Sequence, residues 1–113
     1  MPQPQLGEVW VVMFDPVQRH EQGGIRPAVV IPNDAFNQTP DSLCFFVPVT
    51  RTDRGLPSLI VVEPSEGGSP KRSFIVCEMA KSLNISRLRR RMGIIEAGTL
   101  ERVQARVGMF IDR

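Results

Sequence analysis

Residues 8–14 read EVWVVMF, and the reading of these seven residues decides the fold. Their two alternating sets are Val9, Val11, Met13 and Trp10, Val12, Phe14, and both sets are apolar. Successive side chains of an extended segment point to opposite faces, so this segment needs cover on both sides. It predicts a central strand, buried above and below.

Outward from it, the chain alternates short apolar runs with Gly and Pro punctuation, the pattern of a small barrel or sandwich. The loop DPVQRHEQGG follows, and RPAVVIP makes a second strand that starts at Arg26. SLCFFVPVT is a third, where Pro48 lacks an N–H and marks a bulge or the end of ladder pairing. SLIVVE is a fourth, SFIVCEMAKSL a fifth, and MGII a short last strand. Helical turns are expected near NDAFNQ and near SRLRR. The segment TLERVQARVGMFI has a different period: Leu100, Val103, Val107 and Phe110 fall at helical spacing. Thr99 is its expected N-cap, Glu101 suits its first turn, and Gly108 weakens its end. The fold class is therefore mainly β: a strongly curved, mostly antiparallel small barrel with one C-terminal amphipathic helix.

With 113 residues, 42% of them hydrophobic and 23% charged, the chain reads as one folded domain over residues 1–113, not a disordered segment. A core this small gains from pairing with a second copy. The first ten residues lack the basic and apolar regions of a secretory signal, and no apolar run reaches the roughly 18 residues of a membrane span. A cytoplasmic protein with no membrane partner is expected. Cys44 and Cys77 sit inside apolar runs, as buried reduced thiols do, and two cysteines with one histidine cannot form a usual zinc site. No metal or other cofactor is expected.

The net charge is +2 and the pI about 8.9, but the distribution says more than the total. KSLNISRLRRR, residues 81–91, holds five cations and no acid, and Lys71 and Arg72 add a basic pair. Such a patch can neutralise phosphates, or it can be a solvated basic face. A second feature is HEQGGIRPAVVIPND, residues 20–34. Gly23 and Gly24 let a ligand backbone approach closely, and Pro27 stiffens the chain directly after Arg26. The guanidinium thus leaves a defined point beside a loop carrying His20, Glu21 and Gln22. Thr50, Arg51 and Thr52 close the third strand. A hydroxyl and a guanidinium converging at strand ends suit a phosphodiester.

GEVWVVMFDP, EQGGIRPAVVIPND, VPVT, CEMAKSLNISRL and the closing helix together resemble the MazF/PemK/Kid family of toxin ribonucleases, from Gly7 to about Ile111. The resemblance implies an SH3-like small barrel (the CcdB/PemK type) of five to seven strands. It implies a metal-independent endoribonuclease that cuts single-stranded RNA, whether mRNA, rRNA or tRNA, at short motifs. Such toxins are homodimers whose RNA groove is lined by both subunits and is blocked by the disordered, acidic tail of a cognate antitoxin. The family's catalytic arginine matches Arg26 and its catalytic threonine Thr50. Its loop residues at the groove match Glu21 and Gln22, with Gly24 and Thr52 beside them. Glu78 and Met79 stand where the family often carries Asp-Gln, so no relative's base preference carries over. Lys81 and Arg87 are the expected groove cations, and Arg89, Arg90 and Arg91 make that turn unusually basic.

Cleavage would proceed by attack of a 2′-OH on the adjacent phosphate, leaving a 2′,3′-cyclic phosphate and a 5′-OH. Arg26 suits the phosphorane oxygens and the leaving oxygen but is awkward as a base, because it stays charged. The base is open among Arg26, Glu21 and His20, and Glu21 has the alternative role of orienting Arg26. Trp10 reads as core, whereas Phe14 is either core or a stacking platform. The competing readings are a non-catalytic toxin of the same fold that binds a protein, as gyrase poisons do, and a degenerate copy that only binds antitoxin.

Overall fold

The computed structural model describes residues 4–14, 24–32, 43–53, 55–57 and 59–111. Among these, the chain forms seven strands and one helix: β1 (Glu8–Met13), β2 (Ile25–Pro32), β3 (Leu43–Thr50), β4 (Leu59–Val62), β5 (Ser73–Val76), β6 (Lys81–Asn84), β7 (Leu88–Ile94) and α1 (Ala97–Ile111). The order across the sheet is β4-β5-β3-β2-β1-β7, with β6 also paired to β3. Each of these pairings is antiparallel.

β1 lies between β2 and β7, as its two apolar faces require. On one face Val9 joins Val29, Ile31, Val47, Ile75 and, from α1, Val103 and Val107. On the other, Trp10 and Val12 join Ala28, Val30, Phe46 and Leu88. The alternation in the sequence therefore feeds two apolar clusters, one on each side of the same three strands. Val11 and Met13 are only half-buried.

Three details depart from the sequence reading. SFIVCEMAKSL is two strands, not one. Thr50 faces Phe74 while Phe46 faces Lys81, so four steps along β3 are matched by seven on the neighbouring chain. The excess is the 3-10 turn Cys77–Met79, which bulges out beside Pro48, the residue with no N–H to donate. Next, MGII is only the tail of β7. The 3-10 turn expected near SRLRR falls at Ile85–Arg87, and Arg89, Arg90 and Arg91 lie on the strand. Finally, Thr99 is not the N-cap. The helix starts at Ala97, the Leu100 N–H bonds the Glu96 carbonyl at 2.9 Å, and Thr99 is buried inside the first turn. The terminal Glu96 N–H is capped from outside the helix by Glu66 Oε2 at 2.9 Å. Gly108 does not end the helix, which runs on to Ile111. The turn expected at NDAFNQ lies outside the described residues.

The connection from β4 to β5 folds back onto β7. Its 3-10 turn, Glu66–Gly68, packs so closely there that a Cβ on Gly68 would strike the Met92 carbonyl oxygen. A Cβ on Gly93 would meet Gly67 C and Gly68 N, both at 2.7 Å. Glycine is required on both sides of this seam. Between the seam and the ends of β2 and β3 lies a cavity.

Candidate active site at the ends of β2 and β3

Paired residues of β2 and β3 run from Pro32↔Cys44 to Ala28↔Pro48. Arg26 and Thr50 each stand two residues past the last of these pairs, where β3 turns to pair with β5 through Thr50↔Phe74. Along the strands Arg26 has the parity of Ala28 and Val30, and Thr50 that of Phe46, which is the parity of the second apolar cluster; Val29 and Val49, of the first cluster, alternate with them. Both residues line one cavity of about 570 Å³, together with Arg51 and Thr52. Residues 24 apart in sequence thus line one cavity.

Arg26 is half-buried, and its side chain makes no hydrogen bond or ion pair with another described residue. The Thr52 N–H donates to Thr50 Oγ1 at 3.2 Å, an arrangement that orients the hydroxyl and leaves its hydrogen for a further acceptor. Pro27 pairs with Val11 and Arg26 with Val12, so the arginine's backbone is held on β1 as well as beside β3. The loop after β1 returns where the Phe14 N–H bonds the Gly24 carbonyl at 2.7 Å. His20, Glu21 and Gln22 belong to that loop and lie outside the described residues. Gly24 itself is buried at the loop's end and does not line the cavity.

The remaining site expectations separate from this point. Lys81 pairs with Phe46, four residues along β3 from Thr50, or about 13 Å at the usual rise of a strand. Glu78 and the exposed Met79 sit on the bulged turn between them. Arg87 donates from Nη1 to the Met13 and Phe14 carbonyls at 3.0 and 2.9 Å, which ties the end of β1 to the 3-10 turn Ile85–Arg87. Arg89 bonds the Ser86 and Leu88 carbonyls in the same way. None of Glu78, Lys81 and Arg87 lines the cavity. Phe14 packs edge-on against Phe46 at 6.3 Å, and Trp10 is buried, so both belong to the second apolar cluster.

The structure adds a polar wall that sequence reasoning missed. Glu66, Ser69 and Ser73 line the same cavity from the β4–β5 connection. Ser69 Oγ and Ser73 Oγ lie 2.7 Å apart, and each lies within 2.9 Å of the Lys71 carbonyl oxygen. In the sequence this stretch, PSEGGSPKRS, signals only a turn, because Ser, Gly and Pro mark turns whatever else they do. Of the basic pair beside it, Arg72 meets Glu63 at 3.3 Å and covers the Phe74 ring.

Two buried ionisable groups stand apart from the cavity. Glu8 accepts hydrogen bonds from the Gln5 N–H, the Trp10 indole and Arg91 Nε at 2.9, 2.9 and 2.6 Å. Burial alone would raise its pKa, but these three donors together hold it below the ordinary carboxylate value. Burial pushes the Cys77 thiol up to about 11, which leaves it without thiolate character near neutral pH.

The fold is a small antiparallel β architecture with one C-terminal helix, and a guanidinium and a hydroxyl stand at the ends of its strands on one cavity. The comparisons narrow the class. Residues 5–111 match the model of the PemK-like, MazF-like toxins of type II toxin–antitoxin systems, and the chain belongs to that family. The endoribonuclease MazF of Staphylococcus saprophyticus is 32% identical over 87 residues, which span 76% of this chain and 72% of that protein. The crystal structure of MazF from Deinococcus radiodurans superposes over the full length of both chains with a TM-score of 0.75 at 25% identity. MazF in a MazE–MazF structure from the same organism is 28% identical with a TM-score of 0.73, covering 99% of this chain and 98% of that one.

Proposed function

We propose that this chain is an endoribonuclease toxin that cleaves single-stranded RNA at the ends of β2 and β3. The observation that carries the reading is that Arg26 and Thr50 line one cavity just past the end of the β2–β3 ladder, in a chain of the MazF family. The 2′-oxygen attacks the adjacent phosphorus as its proton leaves for a base, the new O2′–P bond forms, and the P–O5′ bond breaks. The departing 5′-oxygen takes a proton, giving a 2′,3′-cyclic phosphate and a 5′-OH. Charge that develops on the phosphorane is met by the Arg26 guanidinium and by the Thr50 hydroxyl, whose hydrogen is available to an acceptor. No metal takes part in this scheme. The base comes from the loop that carries His20 and Glu21, or is Arg26 itself.

The toxin acts in the cytoplasm, where cleavage of mRNA stops translation, and among the described residues no helix is long and apolar enough to cross a membrane. It pairs with a second copy and is held inactive by an antitoxin. Exposed Ile25, Ile94, Met109 and Phe110 supply apolar surface for such contacts. MazF from Deinococcus radiodurans, similar to this chain, is known in complex with MazE.

Purified protein, a long single-stranded RNA and excess EDTA test the reading. Cyclic phosphate and 5′-OH ends are expected, with cleavage lost on 2′-deoxy substitution at the cut site. Arg26→Ala should lower kcat by about 10²–10³ or more, as removal of one transition-state donor does. Intact RNA with the wild-type protein, while Arg26→Ala still arrests growth, would refute the nuclease and direct the search to a protein target.

A further inference from the structure

Resting on that reading, the cavity beside Arg26 and Thr50 has more room than a phosphate needs. At about 570 Å³ it falls within the usual range of small-molecule sites, and Val29, Val49 and Ile75 give it an apolar floor. A flat, apolar-faced ligand attached to the phosphate would fill it. A nucleobase next to the scissile bond is such a ligand.

The wall opposite in chemistry to the arginines offers acceptors only. The two hydroxyl hydrogens of Ser69 and Ser73 are both held within the cluster they form with the Lys71 carbonyl, so these groups turn lone pairs, not hydrogens, to anything further. Ser73 is 2% exposed and fixed there. Glu66 accepts the Glu96 N–H on Oε2, and no hydrogen bond from another described residue reaches Oε1. A carboxylate oxygen and two hydroxyl lone pairs suit a base edge that presents N–H groups.

We propose that this cavity seats the base adjoining the cleaved phosphate, and that Glu66 and Ser69 make it select a base with an exocyclic amine over uracil. The 4-amino group of cytosine, the 6-amino group of adenine or the amide and amine of guanine meets Glu66 Oε1. Uracil offers a single N–H, flanked by two carbonyl oxygens that the carboxylate and the hydroxyl lone pairs repel, so it is disfavoured there. Glu66 and Ser69 are specificity residues, distinct from the pair that meets the phosphate.

The test uses short RNAs that differ only in the base on either side of the cut, scored by kcat/KM. It is run alongside their 2′-O-methyl analogues, which cannot be cleaved, scored by fluorescence anisotropy. Glu66→Gln keeps an acceptor for the Glu96 N–H and puts an amide donor where the second oxygen was. Its preference for amino bases over uracil should fall about tenfold or more, the effect of one charge-assisted hydrogen bond. Ser69→Ala should lower the same ratio less. Unchanged ratios in both variants, with wild-type cleavage intact, overturn the assignment. If the wild type cleaves nothing but the analogues still bind with the amino-base preference, and Glu66→Gln removes it, the nuclease reading falls and the base subsite stands.

Discussion

Replacing Glu8 by Ala tests the buried carboxylate beneath the central strand. The side chain is 10% exposed and accepts from three donors, of which the Trp10 indole is itself buried. Removal leaves that indole N–H without its partner, at a cost of about 1–3 kcal/mol. The contact with Arg91 contributes less, because the arginine side chain is 48% exposed and screened by water, so about 0.5–1 kcal/mol is assigned to it. Together with the lost bond from the Gln5 N–H, the total is roughly 2–4 kcal/mol, or about 10 °C in Tm for a domain of this size. The pH dependence has a definite sign. Because the folded state holds Glu8 below its ordinary pKa, its stabilisation is complete above about 4.3, the unfolded value, and disappears as pH falls through the lower, folded one. Urea midpoints of wild type and Glu8→Gln, measured from pH 7 to pH 2.5, should therefore differ at neutral pH and converge in acid. Parallel curves across that range would show that the carboxylate charge does not support the fold, and the argument would fail.

Glycine substitutions should separate by position. Gly93→Ala wedges a methyl group into the backbone of the Glu66–Gly68 turn and should cost about 1–3 kcal/mol in urea, as overpacking does. Gly108→Ala, in α1 with open space around it, should instead stabilise by up to about 1 kcal/mol through helix propensity. Arg87→Met should lose about 1.5–3 kcal/mol, because the Met13 and Phe14 carbonyls lose a charged donor, and a loss no larger than an exposed arginine's would refute its structural role. A thiol reagent at pH 8 should leave Cys77 unmodified in the folded protein and label it rapidly in guanidinium; fast native labelling would contradict its burial and raised pKa.

Much of this was legible along the chain, because period and punctuation are local properties. The double-faced strand at residues 8–14, the helical spacing of Leu100, Val103 and Val107, and the break at Pro48 each follow from a few consecutive residues. Arg26 and Thr50 could be singled out for the same reason: each stands at the end of an apolar run. Local pattern also misled where a distant group intervened. Thr99 has the chemistry of an N-cap, yet the cap comes from Glu66, thirty residues before the Glu96 N–H it accepts, and the helix starts earlier. Arg87, singled out by its charge, also holds two strand-end carbonyls, a contact that no neighbouring residue signals.

The alternation that makes two cores, the amphipathic helix and the residue types able to meet a phosphate are all written in the order of residues along the chain. Only the tertiary structure decided which of them meet. The pairing of β2 with β3 brings Arg26 and Thr50 to one cavity, and the glycine seam against β7 brings Glu66, Ser69 and Ser73 to the same cavity. Neither can be read from neighbours in the chain, because a strand's side-chain pattern repeats every two residues and is satisfied by several registers. Close packing of the distant elements selects one of them.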